Sequence, residues 1–426
     1  MRRPGRRRVT ALAPAATRVA PFRRWATLAL VLLVAVLSYV DRQVFTLFMD
    51  AIKRDLALTD RALGLLSGLT FALFYAIAAF PIARHADHGD RPRVIALCVV
   101  VWSIATAACG LANGFWQMAL ARIGLAAGEA GAGPAGQSLV VDIFPPSRRV
   151  TVLSAILAAS SLGLSGGLVL GGWLSTMFDW RAVFLIVGFP GIAIGALVWL
   201  FAAEPRRGGA GEGATPLGSI AVFRTMAASR SLRWIGLSVT AVPMTGMGYL
   251  LWSPVFFQRV HGLSIAQTGF WLGGVTLIGL VLGNLAAGWL GDRFGKDDPR
   301  FNGRLAGISL LLSFPFALGF AWADDRGVAL ACFLVMKFLM TLYLGPTIAL
   351  AFVQVPAAMR ATTGATINMF IGLAGTGLGG FLVGALSDAF AGYGAASLRW
   401  SLAVISVGLL AGALAGWRAG ATARPL

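Results

Sequence analysis

Five ionisable side chains stand inside long apolar runs, and their types and spacing suggest chemistry. Asp41 and Arg42 interrupt LSYVDRQVF (37–45), late in a run that begins near Trp25; Arg122 and Glu129 lie seven residues apart in another, and Lys337 stands in a third. At mid-bilayer depth each costs at least about 2.5 kcal/mol on insertion scales, so each needs a partner, a cavity or a task. Asp41 and Glu129 are candidate proton-coupling groups. A carboxylate's proton affinity responds both to desolvation and to a nearby guanidinium, so opening its cavity to one side ties protonation to conformation. Arg42, Arg122 and Lys337 are candidate ion-pair or substrate groups, because a guanidinium binds phosphate bidentately and would be contested between substrate anion and carboxylate.

Helical spacing constrains the pairing. Seven residues make about two turns, so Arg122 and Glu129 share a face, whereas neighbours diverge by ~100° and Asp41 and Arg42 cannot face one partner. Arg42 is expected to neutralise Glu129, with Asp41 facing Arg122 or the cavity. Lys337 has no carboxylate at similar depth in its own half; it is read as a cavity cation, with snorkelling toward the surface as the alternative.

The elements that must position these groups are membrane helices. The 426 residues are 58% hydrophobic and 12% charged, about half the charge of a soluble protein. Apolar runs long enough to span ~30 Å of hydrocarbon repeat along the chain. The pattern predicts an all-α membrane protein with helices at 25–48, 62–84, 94–112, 116–141, 150–176 and 181–203, then 232–257, 266–291, 302–322, 328–354, 360–389 and 396–418. These make two pseudo-symmetric six-helix bundles, 25–203 and 232–418. A basic cytoplasmic tail (1–24), a Gly/Pro-rich cytoplasmic linker (204–231) and a short C-terminal tail (419–426) complete the plan. With the N-terminus inside, 25 of the 35 Lys and Arg fall on the cytoplasmic side and seven on the other. That bias predicts both termini cytoplasmic in a bacterial inner membrane. The +18 charge is thus a topology signal, not a nucleic-acid surface.

The halves echo each other. ARHADHGDRPR (83–93) follows the second helix and GWLGDRFGKDD (288–298) the eighth, with Asp87 and Asp292 equivalent at an offset of 205 residues. Read as lying in loops just past the helix ends, Asp87, Arg91, Asp292 and Arg293 are candidate cytoplasmic gate residues that cross-link the bundles when that side closes. On the fifth and eleventh helices, Gly163, Gly167, Gly171, Gly375 and Gly379 are read as packing or rocking surfaces.

These features resemble the major facilitator superfamily, whose loop motif G-x-x-x-D-R-x-G-R/K is matched at Gly288, Asp292, Arg293, Gly295 and Lys296. In the first copy Ala83, His88 and Asp90 depart from it, while Asp87, Arg91 and Arg93 remain. YVDRQ (39–43), LGLLSGLTFALFYAIAAFPIARHAD (63–87), RIGLAAGEAGAGPAGQSLVVDIFPPSRR (122–149) and DWRAVFLIVG (179–188) are similar to spinster-type transporters. The resemblance implies gradient-driven movement of amphipathic substrates, sphingoid phosphates and lysophospholipids among them.

Nothing calls for a cofactor or metal. Cys98, Cys109 and Cys332 lie in apolar runs without paired spacing, and His85, His88 and His261 are placed in connections without ligand partners. GEAGAGPAG (128–136) lacks the Lys of a nucleotide loop and follows no strand. No nucleophile set suggests an enzyme. The expectation is a monomeric secondary active transporter working by alternating access, proton-coupled, moving a lipid-like amphiphile among membrane lipids. A proton-coupled exporter of small hydrophobic drugs or metabolites is the alternative.

Overall fold

Helices begin where an apolar run follows a short polar side chain. In the computed structural model, which describes residues 19–205, 228–295, 298–356 and 359–423, Thr59, Asp90, Asp179, Ser229, Ser264, Asp298 and Asp325 each accept a backbone N–H from the turn that follows. Such caps satisfy donors that neither the helix nor lipid can.

The first half comprises α1 (Pro21–Asp55), α2 (Asp60–Gly64, a π-helical Leu65–Leu69, then Thr70–His88), α3 (Arg91–Gly110), α4 (Phe115–Ile143), α5 (Arg149–Leu174) and α6 (Trp180–Phe201). The second comprises α7 (Arg230–Val260), α8 (Ile265–Phe294), α9 (Pro299–Trp322), α10 (Arg326–Thr341 and Leu344–Phe352), α11 (Arg360–Phe370, a π-helical Ile371–Gly379, then Gly380–Ala389) and α12 (Ser397–Ile405 and Val407–Ala421). By length and composition all of these but α4 could cross a membrane. The 29 residues of α4 are long enough, but Arg122, Glu129 and its glycines lower its hydropathy. The one helix that looks least like a span is thus the one carrying much of the chemistry.

Several boundaries differ from expectation. α1 starts at Pro21, a residue suited to the first turn, and continues past residue 48 because Lys53 and Arg54 favour its last turn. α12 runs to Ala421, into the predicted tail. His85, expected in a connection, lies within α2. Residues 1–18, 206–227 and 424–426, which hold most of the predicted tails and linker, lie outside the described residues, as does Lys296.

The apolar core is continuous at one end only. Where α1 ends and α2 begins, one cluster joins both halves, running from Val44, Phe48 and Leu63 to Leu251, Trp252 and Phe320. Toward the other end the core divides. Leu28, Val99 and Leu139 belong to a cluster of the first half, and Leu232, Leu350 and Ile367 to one of the second. The halves therefore close on each other at the α1–α2 end and separate at the opposite one.

Close approach between the halves uses other glycines of these helices. A Cβ on Gly68 of α2 would stand 2.7 and 2.8 Å from the carbonyl oxygens of Thr376 and Gly377 on α11, and one on Gly172 of α5 would meet the Ala266 carbonyl of α8 at 3.1 Å. α2 and α11 are π-helical where they cross. The glycines read as packing or rocking surfaces make close packing contacts that face inward. Gly163, Gly167 and Gly171 pack on α1, and Gly375 and Gly379 on α7, each within its own half. A one-residue step turns a helix by ~100°, so Gly171 looks into its bundle while Gly172 looks across to the other.

Candidate functional site

Ser38 and Arg42 lie on one face of α1, as i, i+4 spacing requires, and converge on Glu129 of α4. The Arg42 Nε donates to Glu129 Oε2 at 2.7 Å, its Nη2 closes on the same oxygen, and Ser38 Oγ adds a third donor at 3.1 Å. Glu129 Oε1 has no hydrogen-bond partner. Around the guanidinium stand three rings, Phe71 at 4.5 Å, Tyr39 at 5.2 Å and Tyr75 at 5.8 Å from Cζ to centroid. Rings at this range stabilise a cation and reduce its cost of burial.

The pair borders a cavity of about 270 Å³, lined by α1, α2, α3, α4 and α5 of the first half. Its polar lining is Ser38, Tyr39, Arg42, Tyr75, Trp102, Glu129, Gln137 and Ser160; Val31, Val34, Ile95, Ile156 and Leu157 are among the apolar residues. The Arg42 side chain is 26% exposed and that of Glu129 1%, so the arginine is presented to the cavity with the carboxylate behind it. A pocket of this size fits a polar head group or a compact molecule, at the small end of ligand sites.

Asp41 and Arg122 occupy a second layer, contrary to the expected arrangement. Turned ~100° from Arg42, Asp41 points to α3, where Thr106 Oγ1 donates to its Oδ2 at 3.3 Å and Oδ1 has no partner. It is 1% exposed and does not line the cavity, and no ion pair joins it to Arg122. Arg122 instead donates from Nε to the Leu66 carbonyl at 3.3 Å, inside the π-helical stretch of α2, and lies over Phe45 at 4.3 Å. Lys337 is 8% exposed, so it does not snorkel outward. Its nearest partners are the Gly246 carbonyl at 3.5 Å and the Phe333 ring at 5.3 Å, with no carboxylate paired to it among the described residues.

The gate expectation also needs correction. Asp87 and Asp292 lie inside the last turns of α2 and α8 rather than in loops, and the Asp87 side chain is outside the described residues. Arg91 is buried at the start of α3 and holds Asp142 at 2.6 Å and Glu204 at 2.5 Å, both in its own half. Asp292 and Arg293 are exposed and, among the described residues, make no ion pair with the first half.

At the closed end the halves are joined by a cluster that the sequence reading missed. Arg259 of α7 donates from Nε to Asp50 at 2.6 Å and from Nη1 and Nη2 to the two oxygens of Asp60 at 2.6 and 2.8 Å. Lys53 and Ser387 also reach Asp60, both at 2.7 Å. Among the described residues every ion pair between the halves lies here. The available signal was Asp50 and Asp60 beside Lys53 and Arg259 at neighbouring helix ends, of which only the two cations enter the topology count.

The Major Facilitator Superfamily is the family whose model matches the chain, over residues 31–380. An MFS-type efflux pump of Mycolicibacterium smegmatis is 31% identical, over 96% of this chain and 95% of its own. Protein spinster homolog 3 of Danio rerio is 23% identical, over 91% and 81%. Among solved structures, a bacterial homologue of the human lysosomal transporter spinster, inward-facing and unoccupied, superposes with a TM-score of 0.87 at 28% identity, covering 95% of this chain and 98% of that one. These relatives are transporters, not enzymes.

Proposed function

The chain belongs to the major facilitator superfamily and is a spinster-like, multi-pass membrane transporter, and on that footing we propose that it is a proton-coupled secondary active transporter of a lipid-like amphiphile, of the lysophospholipid or sphingoid-phosphate type. The observation that carries this reading is the Arg42–Glu129 pair on a cavity of head-group size. Arg42 receives the substrate anion, and Glu129, with Asp41 behind it, takes the proton. The acyl chain lies toward the space between the halves. The bundles 25–203 and 232–418, joined by the linker 204–231, rock as units of a monomer about the α2–α11 and α5–α8 crossings.

The state is inward-open, with both termini and the separated end on the cytoplasmic side of a bacterial inner membrane. A closed α1–α2 end, with no ion pair joining the halves at the opposite end among the described residues, supports it, as does the likeness to an inward-facing relative. A second reading, export of small hydrophobic drugs, draws support from the efflux-pump relative. Proteoliposomes distinguish them. Uptake of an anionic lysophospholipid that responds to an imposed proton gradient supports the first; gradient-driven movement of a hydrophobic dye with no lysolipid competition supports the second.

A further inference from the structure

The cavity is electrically balanced, and this has a consequence for coupling. Among its lining residues Arg42 is the only cation and Glu129 the only anion. The guanidinium engages Glu129 through Nε and Nη2, leaving Nη1 for a ligand, so an anion can dock without first breaking the pair. Charge opposes it nonetheless. One guanidinium between two anions leaves a net negative charge in a desolvated site, which is costly unless it is compensated. The other ionisable groups that feel Glu129 are Asp41, Tyr75 and Arg122. Arg122 is 2% exposed, lies behind Phe71, donates to the Leu66 carbonyl and does not line the cavity, so its charge is not presented to a ligand there.

Two sources can supply it. A proton can neutralise Glu129, whose Oε1 carries no hydrogen bond. Alternatively the ligand can bring its own cation, for which the Tyr39 and Tyr75 rings and Glu129 form an aromatic and acidic wall. We infer that the net charge of the head group sets the number of protons taken up: a zwitterionic head group enters with none, and a singly anionic one enters with one proton, transferred from bulk solvent to the Glu129 carboxylate. The inference rests on the lipid-like reading and deepens it by making the coupling a property of the substrate.

Titration calorimetry of the whole protein in nonionic detergent, in two buffers of different ionisation enthalpy, counts the protons. The probes are palmitoyl lysophosphatidylcholine, zwitterionic, and palmitoyl lysophosphatidylglycerol, singly anionic. The expected result is about one proton taken up per lysophosphatidylglycerol and none per lysophosphatidylcholine. Where Glu129 is ionised in the free protein, affinity for the former should then fall about tenfold per pH unit while that for the latter stays flat. In Glu129→Gln the cavity holds an unopposed Arg42, so lysophosphatidylglycerol should bind more tightly than lysophosphatidylcholine and without pH dependence. Equal proton uptake by the two lipids, including none by either, would overturn the inference alone. Failure of both lipids to bind would overturn it together with the lipid-like substrate.

Discussion

The carboxylate of Asp388, in α11, caps the start of α2 in the other half: its two oxygens accept the backbone N–H groups of Asp60 at 3.1 Å and Arg61 at 2.7 Å. Thr59 takes the next free donor, that of Ala62. A helix terminus is thus completed only while the halves are together at this end. A cap contributes roughly 1 kcal/mol, and one that exists in a single conformation contributes it to that conformation. Asp388→Ala should therefore raise the population open at this end about fivefold. Spin labels on the exposed Ala57 and Ala395 would report it as a growing long-distance component, and an unchanged distribution would count against a latch.

Arg259 should weigh more. Its fork spans Asp50 and both oxygens of Asp60, and Asp60 is 2% exposed. Arg259→Ala leaves Asp60 with Lys53 as its remaining cation, costing about 2–3 kcal/mol, somewhat less than for a wholly buried pair. Arg259→Lys should recover little, because an ammonium cannot span both acids. Adding Asp60→Asn should return part of the loss in a double-mutant cycle read by thermal unfolding. Purely additive losses would show that the pair does not couple.

The two kinds of glycine contact make separable predictions. Gly68→Ala would press a methyl against α11 backbone, so it should shift the spin-label distances toward opening of the α1–α2 end. Gly163→Ala would press on Val36 and Tyr39 of its own half. That contact persists in either state, so the cost of overpacking, about 1–3 kcal/mol, should appear as a lower Tm with distances unchanged. A distance shift from Gly163→Ala as large as that from Gly68→Ala would contradict the division of roles.

Much of this arrangement was legible in the sequence, for physical reasons. Apolar runs, the arginine bias and the repeated Asp-containing turns gave the helices and the two halves, because lipid leaves the backbone few alternatives. Helical period, with similar depth on the first and fourth helices, matched Arg42 to Glu129. It could not say where Asp41 and Arg122 would end, since that depends on Thr106 and on a π-helical stretch whose carbonyl faces Arg122. Nor could glycine spacing separate Gly171 from Gly172: both satisfy a small-residue pattern, and only the partner helix differs. The Asp50–Asp60–Arg259 cluster escaped because Arg259 lies about 200 residues from both acids in sequence.

Lys337 tests whether a buried charge is structural. It lies among Phe333, the Gly246 carbonyl and Gly279, with no acid paired to it among the described residues. A methionine has similar reach and no charge to desolvate, so Lys337→Met should stabilise the fold by about 1 kcal/mol or more. Thermal unfolding in detergent measures the gain. Transport lost from a more stable variant would assign Lys337 a working role; transport retained would leave it as a packing residue.

The two layers of charge predict different defects in the acids. Glu129 touches Arg42 at the cavity, whereas Asp41 is sealed against Thr106 and away from the lining. Glu129→Gln should abolish gradient-driven uptake, by tenfold or more, and change substrate affinity as well, because it alters the charge presented to the ligand. Asp41→Asn should leave equilibrium affinity within about twofold, since an isosteric amide out of contact with the substrate changes little there, and yet still impair gradient-driven uptake if its proton is linked to reorientation. Uptake under a proton gradient, paired with binding at equilibrium, separates the outcomes. If Asp41→Asn weakens binding as much as Glu129→Gln does, the two carboxylates act as one site and the layered arrangement carries no division of labour.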